Sequence, residues 1–227
     1  MLAGKLTFMP SSTKIPLLLL VIYLVLFAVL SFNPTDRPTW WAENITVWVI
    51  LAVIILMYFR NVRFSNLAYV LMSVLLYMHT IGGHFTFEKV PFDYVTQLFG
   101  FHRNNYDRFA HFTVGFYAFP IAEWMSRKKL VANRFILYSY PLFIIATAAV
   151  SYEWIEWAYA SSSDPEAGAN YLGSQGDVWD AQKDMLCDTS GAAFALLLFY
   201  LSGKRNSVSG RQLVVGSPKS AVDRLEF

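Results

Sequence analysis

Asp177, Asp180, Asp184 and Asp188 fall within one short stretch that runs straight into the apolar segment Ala-Ala-Phe-Ala-Leu-Leu-Leu-Phe-Tyr200. On a helix turning 100° per residue they project at about 0°, 300°, 340° and 20°, inside one narrow arc. A face made of carboxylates can hold a cation, relay a proton or pair with basic residues. On a membrane helix each acid costs about 2.5 to 3.5 kcal/mol near the centre, so the face must meet a partner in a bundle interior or a wet cavity.

The rest of the chain offers a limited set of partners. Asp107 and His111 are spaced i,i+4 and Glu153 and Glu156 i,i+3, so each pair shares a helix face. Carboxylates mixed with imidazoles suit a divalent ion, magnesium or manganese favouring the oxygens and zinc the nitrogens. In that reading His111, Glu156, Asp180 and Asp184 hold the ion, and Asp107 or Glu153 is the general base toward a water. His79, His84, Asp177 and Asp188 are further candidates. The same acids also suit proton relay, or ion pairs that hold the bundle together, with Arg103, Arg108 and Lys183 as counter-charges. Glu123 stands apart as an interfacial residue, and His79 has an equally good role as a cross-helix hydrogen-bonding group.

These residues need elements to position them. Of the 227 residues 56% are hydrophobic and 15% charged, against roughly 25% charged in soluble domains, which makes the chain an integral membrane protein. The single Cys187 excludes an intrachain disulfide and reads as packing. No P-loop, dinucleotide-binding glycine motif, zinc-protease motif or serine elbow is present, and nothing points to nucleic acid.

Apolar runs predict an all-α polytopic membrane helix bundle with six transmembrane helices, over 15–32, 44–59, 67–83, 106–125, 135–158 and from 180 onward. A kink is expected at Pro120. Residues 1–202 form one domain, and the basic tail 203–227 is expected to be disordered. Lys and Arg cluster in alternate connections, which places both termini in the cytoplasm. That topology brings the ionisable ends of spans three to six to one side and leaves spans one and two as scaffold. The connection of about twenty residues after His84 is long enough to fold back over a site.

Three motifs carry a resemblance over nearly the whole chain: Asn105-Tyr-Asp-Arg-Phe-Ala-His111, Glu153-Trp-Ile-Glu-Trp157, and Leu172-Gly-x-Gln-Gly-Asp-Val-Trp-Asp-Ala-Gln-x-Asp-Met185 with Asp188-Thr. Through them the chain resembles the YjdF-type bacterial inner-membrane proteins, which implies a multi-pass protein of the cytoplasmic membrane and assigns no activity. Asp107-Arg-x-x-His-Phe112, Glu153-x-x-Glu156 and Asp184-x-x-x-Asp188-x-x-Gly191 are more distantly similar to the polar signature of VanZ-like membrane proteins, with Glu156 where that pattern has Gln and Asp188 where it has Asn. This second resemblance implies a cell-envelope role. Three functions are therefore expected to compete. One is a metal-assisted hydrolase or transferase acting on a lipid or lipid-linked envelope substrate. Another is a proton- or cation-coupled transporter using the same acids. The third is a structural or sensory membrane protein without catalysis.

Overall fold

The computed structural model describes residues 13–172 and 174–215, apart from the side chains of 166, 167, 170 and 204–215. Every regular element among the described residues is helical: α1 (Lys14–Leu30), α2 (Arg37–Phe59), α3 (Asn66–Phe85), α4 (Asp93–Leu98), α5 (Tyr106–Val114), α6 (Ala118–Arg127), α7 (Arg134–Ser162), α8 (Pro165–Leu172) and α9 (Asp180–Val215). Residues of α2, α3, α7 and α9 form helices long and apolar enough to cross a membrane, and α1 is a shorter apolar helix of 17 residues. The basic stretch from 203, expected to be disordered, is helical as far as Val215; residues 216–227 lie outside the described residues.

The segment expected as one kinked span is broken. Between α5 and α6 the residues Gly115–Tyr117 tighten into a 3-10 turn. Pro120 has no N–H for the Phe116 carbonyl and its ring crowds that carbonyl, so the irregular turn falls one turn before the proline.

Two helices organise the bundle. The first, α9, packs on α5, the 3-10 turn, α6 and α7; the other, α3, packs on α1, α2 and α5. Phe119 and Phe199 meet edge to face in the core, with centroids 5.6 Å apart. Small residues Ala118, Ala122, Ala192 and Ala195, all fully buried, let the surrounding helices close in. The tightest approach is between α5 and α9. A methyl group on Gly115 would collide with the Ala192 nitrogen, and one on Gly191 with the Phe112 carbonyl. Glycine is required at both places because backbone already fills the space.

Glu123 anchors the opposite end of the bundle. The sequence suggested an isolated interfacial acid, but the residue is fully buried. It accepts hydrogen bonds from the Ser65 N–H at 2.8 Å and the Ser65 hydroxyl at 2.6 Å, and pairs with Arg127 at 2.6 Å. An acid next to the first turn of α3 satisfies N–H groups that have no helical partner.

Candidate metal centre

The α5–α9 contact fixes a register. Arg103 faces Asp180 and His111 faces Asp188, each pair 77 positions apart. Asp107 faces Asp184 at the same offset, and Gly115 meets Ala192 below them. Both segments thus present residues at every fourth position, the i±4n row that forms a ridge on a helix surface. Read from the Arg103 end, the rungs are guanidinium to carboxylate, carboxylate to carboxylate, imidazole to carboxylate, and glycine to alanine.

The first rung is saturated. Arg103 Nη1 donates to Asp180 Oδ1 at 2.6 Å and to the Ser174 carbonyl at 2.9 Å. Arg108 Nη2 donates to Asp180 at 3.1 Å and also to Asp177. Lys183 reaches Asp177 at 2.6 Å, and Asp177 accepts the Trp179 N–H at 3.1 Å just before α9 begins. The Lys183 ammonium, the Trp179 N–H and Arg108 hold the Asp177 carboxyl well below the usual carboxylate range.

The second rung has no such clamp. One oxygen or nitrogen each from Asp107, His111 and Asp184 lie within 4.8 Å of one another. Asp184 is 3% exposed, its Oδ1 has no hydrogen-bond partner, and Arg108 Nε stands 3.9 Å away, outside bonding range. His111 is oriented from behind: its Nδ1 lies 3.3 Å from Asp188 Oδ2, while Nε2 lies 3.6 Å from Asp107 Oδ1. An imidazole that gives its Nδ1 proton to a buried carboxylate has the correct tautomer to offer Nε2 to a metal. Two carboxylates and one imidazole could supply three ligands to a divalent ion.

The centre forms part of the wall of a cavity of about 220 Å³, to which Asp107, His111 and Asp188 contribute. A second polar group faces them. Tyr152 donates to Glu43 Oε2 at 3.1 Å, and its hydroxyl lies 3.4 Å from His79 Nε2, which in turn is 3.4 Å from Glu43. Tyr171 of α8 covers this end; burial pushes its hydroxyl up from the ordinary phenol value, so it remains a donor.

A scan of family models matches residues 15–205 to a family described as "Predicted membrane protein (DUF2238)". The chain belongs to the DUF2238 family of membrane proteins. It is 31% identical over 159 residues to "Inner membrane protein YjdF" of Escherichia coli strain K12, covering 69% of this chain and 75% of that protein. No solved structure matches. The DUF2238 protein is thus a multi-pass protein of the bacterial inner membrane, and all residues of both polar groups fall inside the matched range.

Within the DUF2238 fold the candidate residues separate. Asp107, His111 and Asp184 converge, with Asp188 behind His111. Asp177 and Asp180, the latter expected to hold the ion, are instead taken by Arg103, Arg108 and Lys183. Glu156 lines the cavity, and Glu153 keeps a buried oxygen without a hydrogen-bond partner. His79 joins the second group, whereas His84 bonds the Leu30 carbonyl at 2.8 Å and ties α3 to the end of α1.

The expectation that span two is pure scaffold is overturned. Glu43 is 2% exposed and faces the cavity, because α2 begins at Arg37 and carries the glutamate inside its second turn. Thr39, Glu43 and Val47, all buried at i,i+4 spacing, were the signal that this face turns inward. The long connection after His84 does pack under the site: Phe87 lines the cavity, and Arg103 leaves it to meet Asp180.

Proposed function

We propose that this protein is a metal-assisted membrane hydrolase or transferase acting on a lipid or lipid-linked envelope substrate. The observation that carries the reading is the carboxylate-to-carboxylate rung. Asp107 and Asp184 converge with His111, and Asp184 keeps a buried oxygen that no protein group satisfies. Facing carboxylates in a low-dielectric site repel unless a cation or a shared proton lies between them.

In this reading Asp107, His111 and Asp184 hold a divalent ion, and Asp188 orients His111. Such an ion supplies Lewis acidity toward a carbonyl or phosphoryl oxygen. Glu153, with its free oxygen, takes the proton from the attacking water or hydroxyl, and Glu156 borders the space a substrate occupies. The Glu156 side of the cavity also carries the hydroxyl of Tyr152, which donates to Glu43.

The test uses full-length protein purified in detergent, stripped with chelator and dialysed against manganese or zinc. Stoichiometric retention in wild type, lost in Asp184→Ala, supports the centre. Turnover of a bacterial membrane-lipid extract, followed by mass spectrometry, that falls in Glu153→Gln without loss of metal supports the enzymatic role. A second reading, proton- or cation-coupled transport, draws on the Glu43, Tyr152 and His79 chain. Flux driven by a pH gradient in proteoliposomes, together with no metal retention, would favour it over catalysis.

A further inference from the structure

On each of four helices lining the cavity, polar and apolar residues separate in the same sense. Glu43 and Thr46 precede Ile50 on α2, and Asp107 and His111 precede Val114 on α5. On α3 and α7, which run the opposite way, Leu75 comes before His79 and Ala148 and Ala149 before Tyr152 and Glu156. One end of the cavity is therefore polar and the other apolar, which is the profile of an amphiphile.

The apolar end is open at the side. Along their length α2 packs on α3, and α7 packs on α6 and α9; α8 touches both α2 and α7 and bridges them only at the polar end. Thr46 and Ile50 on one flank are half-exposed and Ala148 on the other is exposed, although all three line the cavity. Cavity-lining residues that keep this much accessible surface, on two helices that do not pack closely along their length, point to an opening between α2 and α7. A cavity of about 220 Å³ takes a headgroup and its first carbons rather than a whole lipid.

We infer that the gap between α2 and α7 is a lateral portal, through which a membrane lipid inserts its headgroup while its hydrocarbon chain stays in the bilayer. This rests on the enzymatic reading for its purpose, though not for its geometry. The wall away from the metal centre is rich in acceptors, Glu43 and Glu156 with Tyr152 between them, so the head it fits is a hydroxyl- or amine-bearing donor rather than a terminal phosphate. Ala148 is small enough to leave the passage clear, and its neighbours Thr147 and Val150 face outward beside it.

The test places full-length protein in phosphatidylcholine nanodiscs with a dodecyl glucoside carrying a photoreactive diazirine at the chain end nearest the sugar. Peptide mapping is expected to find crosslinks at Thr46, Ile50 and Ala149. Ala148→Trp or, from the other flank, Ile50→Trp lowers them about tenfold or more, the factor equivalent to about 1.4 kcal/mol of affinity. Unlabelled dodecyl glucoside competes and dodecyl phosphate does not. Asp184→Ala loses metal and keeps the crosslinks, so failure of the metal centre is read separately from failure of the portal. Labelling spread equally over the lipid-facing α1 residues Leu18 and Val25, or unchanged in both tryptophan variants, would overturn the portal. Equal competition by dodecyl phosphate would overturn the headgroup assignment.

Discussion

Asp180 and Asp184 are chemically identical, stand one turn apart on the same face of α9, and oppose residues at the same offset in the segment leading into and through α5. Asp180 meets Arg103 and Arg108 at hydrogen-bonding distance. Asp184 meets another acid and a histidine, and retains an unsatisfied buried oxygen. The difference teaches that an acid stripe on a membrane helix need not have one role. Asp180 is clamped by Arg103 from the loop before α5 and by Arg108 from α5 itself, whereas one turn on Asp184 has only the Arg108 Nε at 3.9 Å, beyond hydrogen-bonding distance.

The contrast is most easily destroyed by attacking the register that both rungs share. Gly191→Val would push α9 away from the Phe112 carbonyl, with a penalty above about 3 kcal/mol from overpacking against backbone. Loss of the folded peak in size-exclusion chromatography is the expected result, and clamp and centre should disappear together.

Removing the clamp alone should be milder. Arg108→Ala strips a cation from both Asp177 and Asp180, and because the side chain is partly exposed the cost should be smaller than for a fully buried pair. A lowered unfolding temperature in detergent, with metal retention preserved, is the outcome that fits. Asp188→Asn tests the centre from behind: a lost carboxylate acceptor for His111 should weaken metal binding about 10- to 100-fold while leaving the fold in place. Equilibrium dialysis against manganese gives the comparison.

The smallest effect concerns acid. The Asp177 carboxyl is depressed in the folded protein by Lys183, the Trp179 N–H and Arg108. A depressed carboxyl contributes stability that is present above its unfolded value of about 3.9 and is lost as pH falls through the lower folded value. Unfolding temperature attributable to Asp177 should therefore hold steady from neutral pH down to about pH 5 and decline only below pH 4. Asp177→Asn should flatten that acid limb.

Much of this was legible in the residues. Period-4 spacing identified the faces of Asp107, His111, Asp184 and Asp188, and composition identified an all-helical membrane protein. Which face meets which was harder to see, because the ladder joins positions 77 apart and periodicity describes one helix at a time. Both rows, Arg103 to Gly115 and Asp180 to Ala192, were nevertheless present as parallel i+4 series. Glu43 is hidden for a different reason: the apolar run begins where the charges stop, whereas α2 starts at its Asp36 cap, whose carboxylate accepts the Thr39 N–H at 2.8 Å. His84 shows the converse. A histidine at the right end of the right helix satisfies a carbonyl of α1 and contributes nothing to the cavity.

The decisive measurement is thermal unfolding of chelator-stripped wild type, Asp180→Ala and Asp184→Ala, each with and without manganese or zinc. A ligand that binds only the folded state raises the unfolding temperature. Wild type should rise with metal. Asp180→Ala should start lower and still rise, while Asp184→Ala, relieved of a buried carboxylate oxygen without a hydrogen-bond partner, should start at or above wild type and not respond. A metal response that survives Asp184→Ala and vanishes in Asp180→Ala would contradict the division of the stripe.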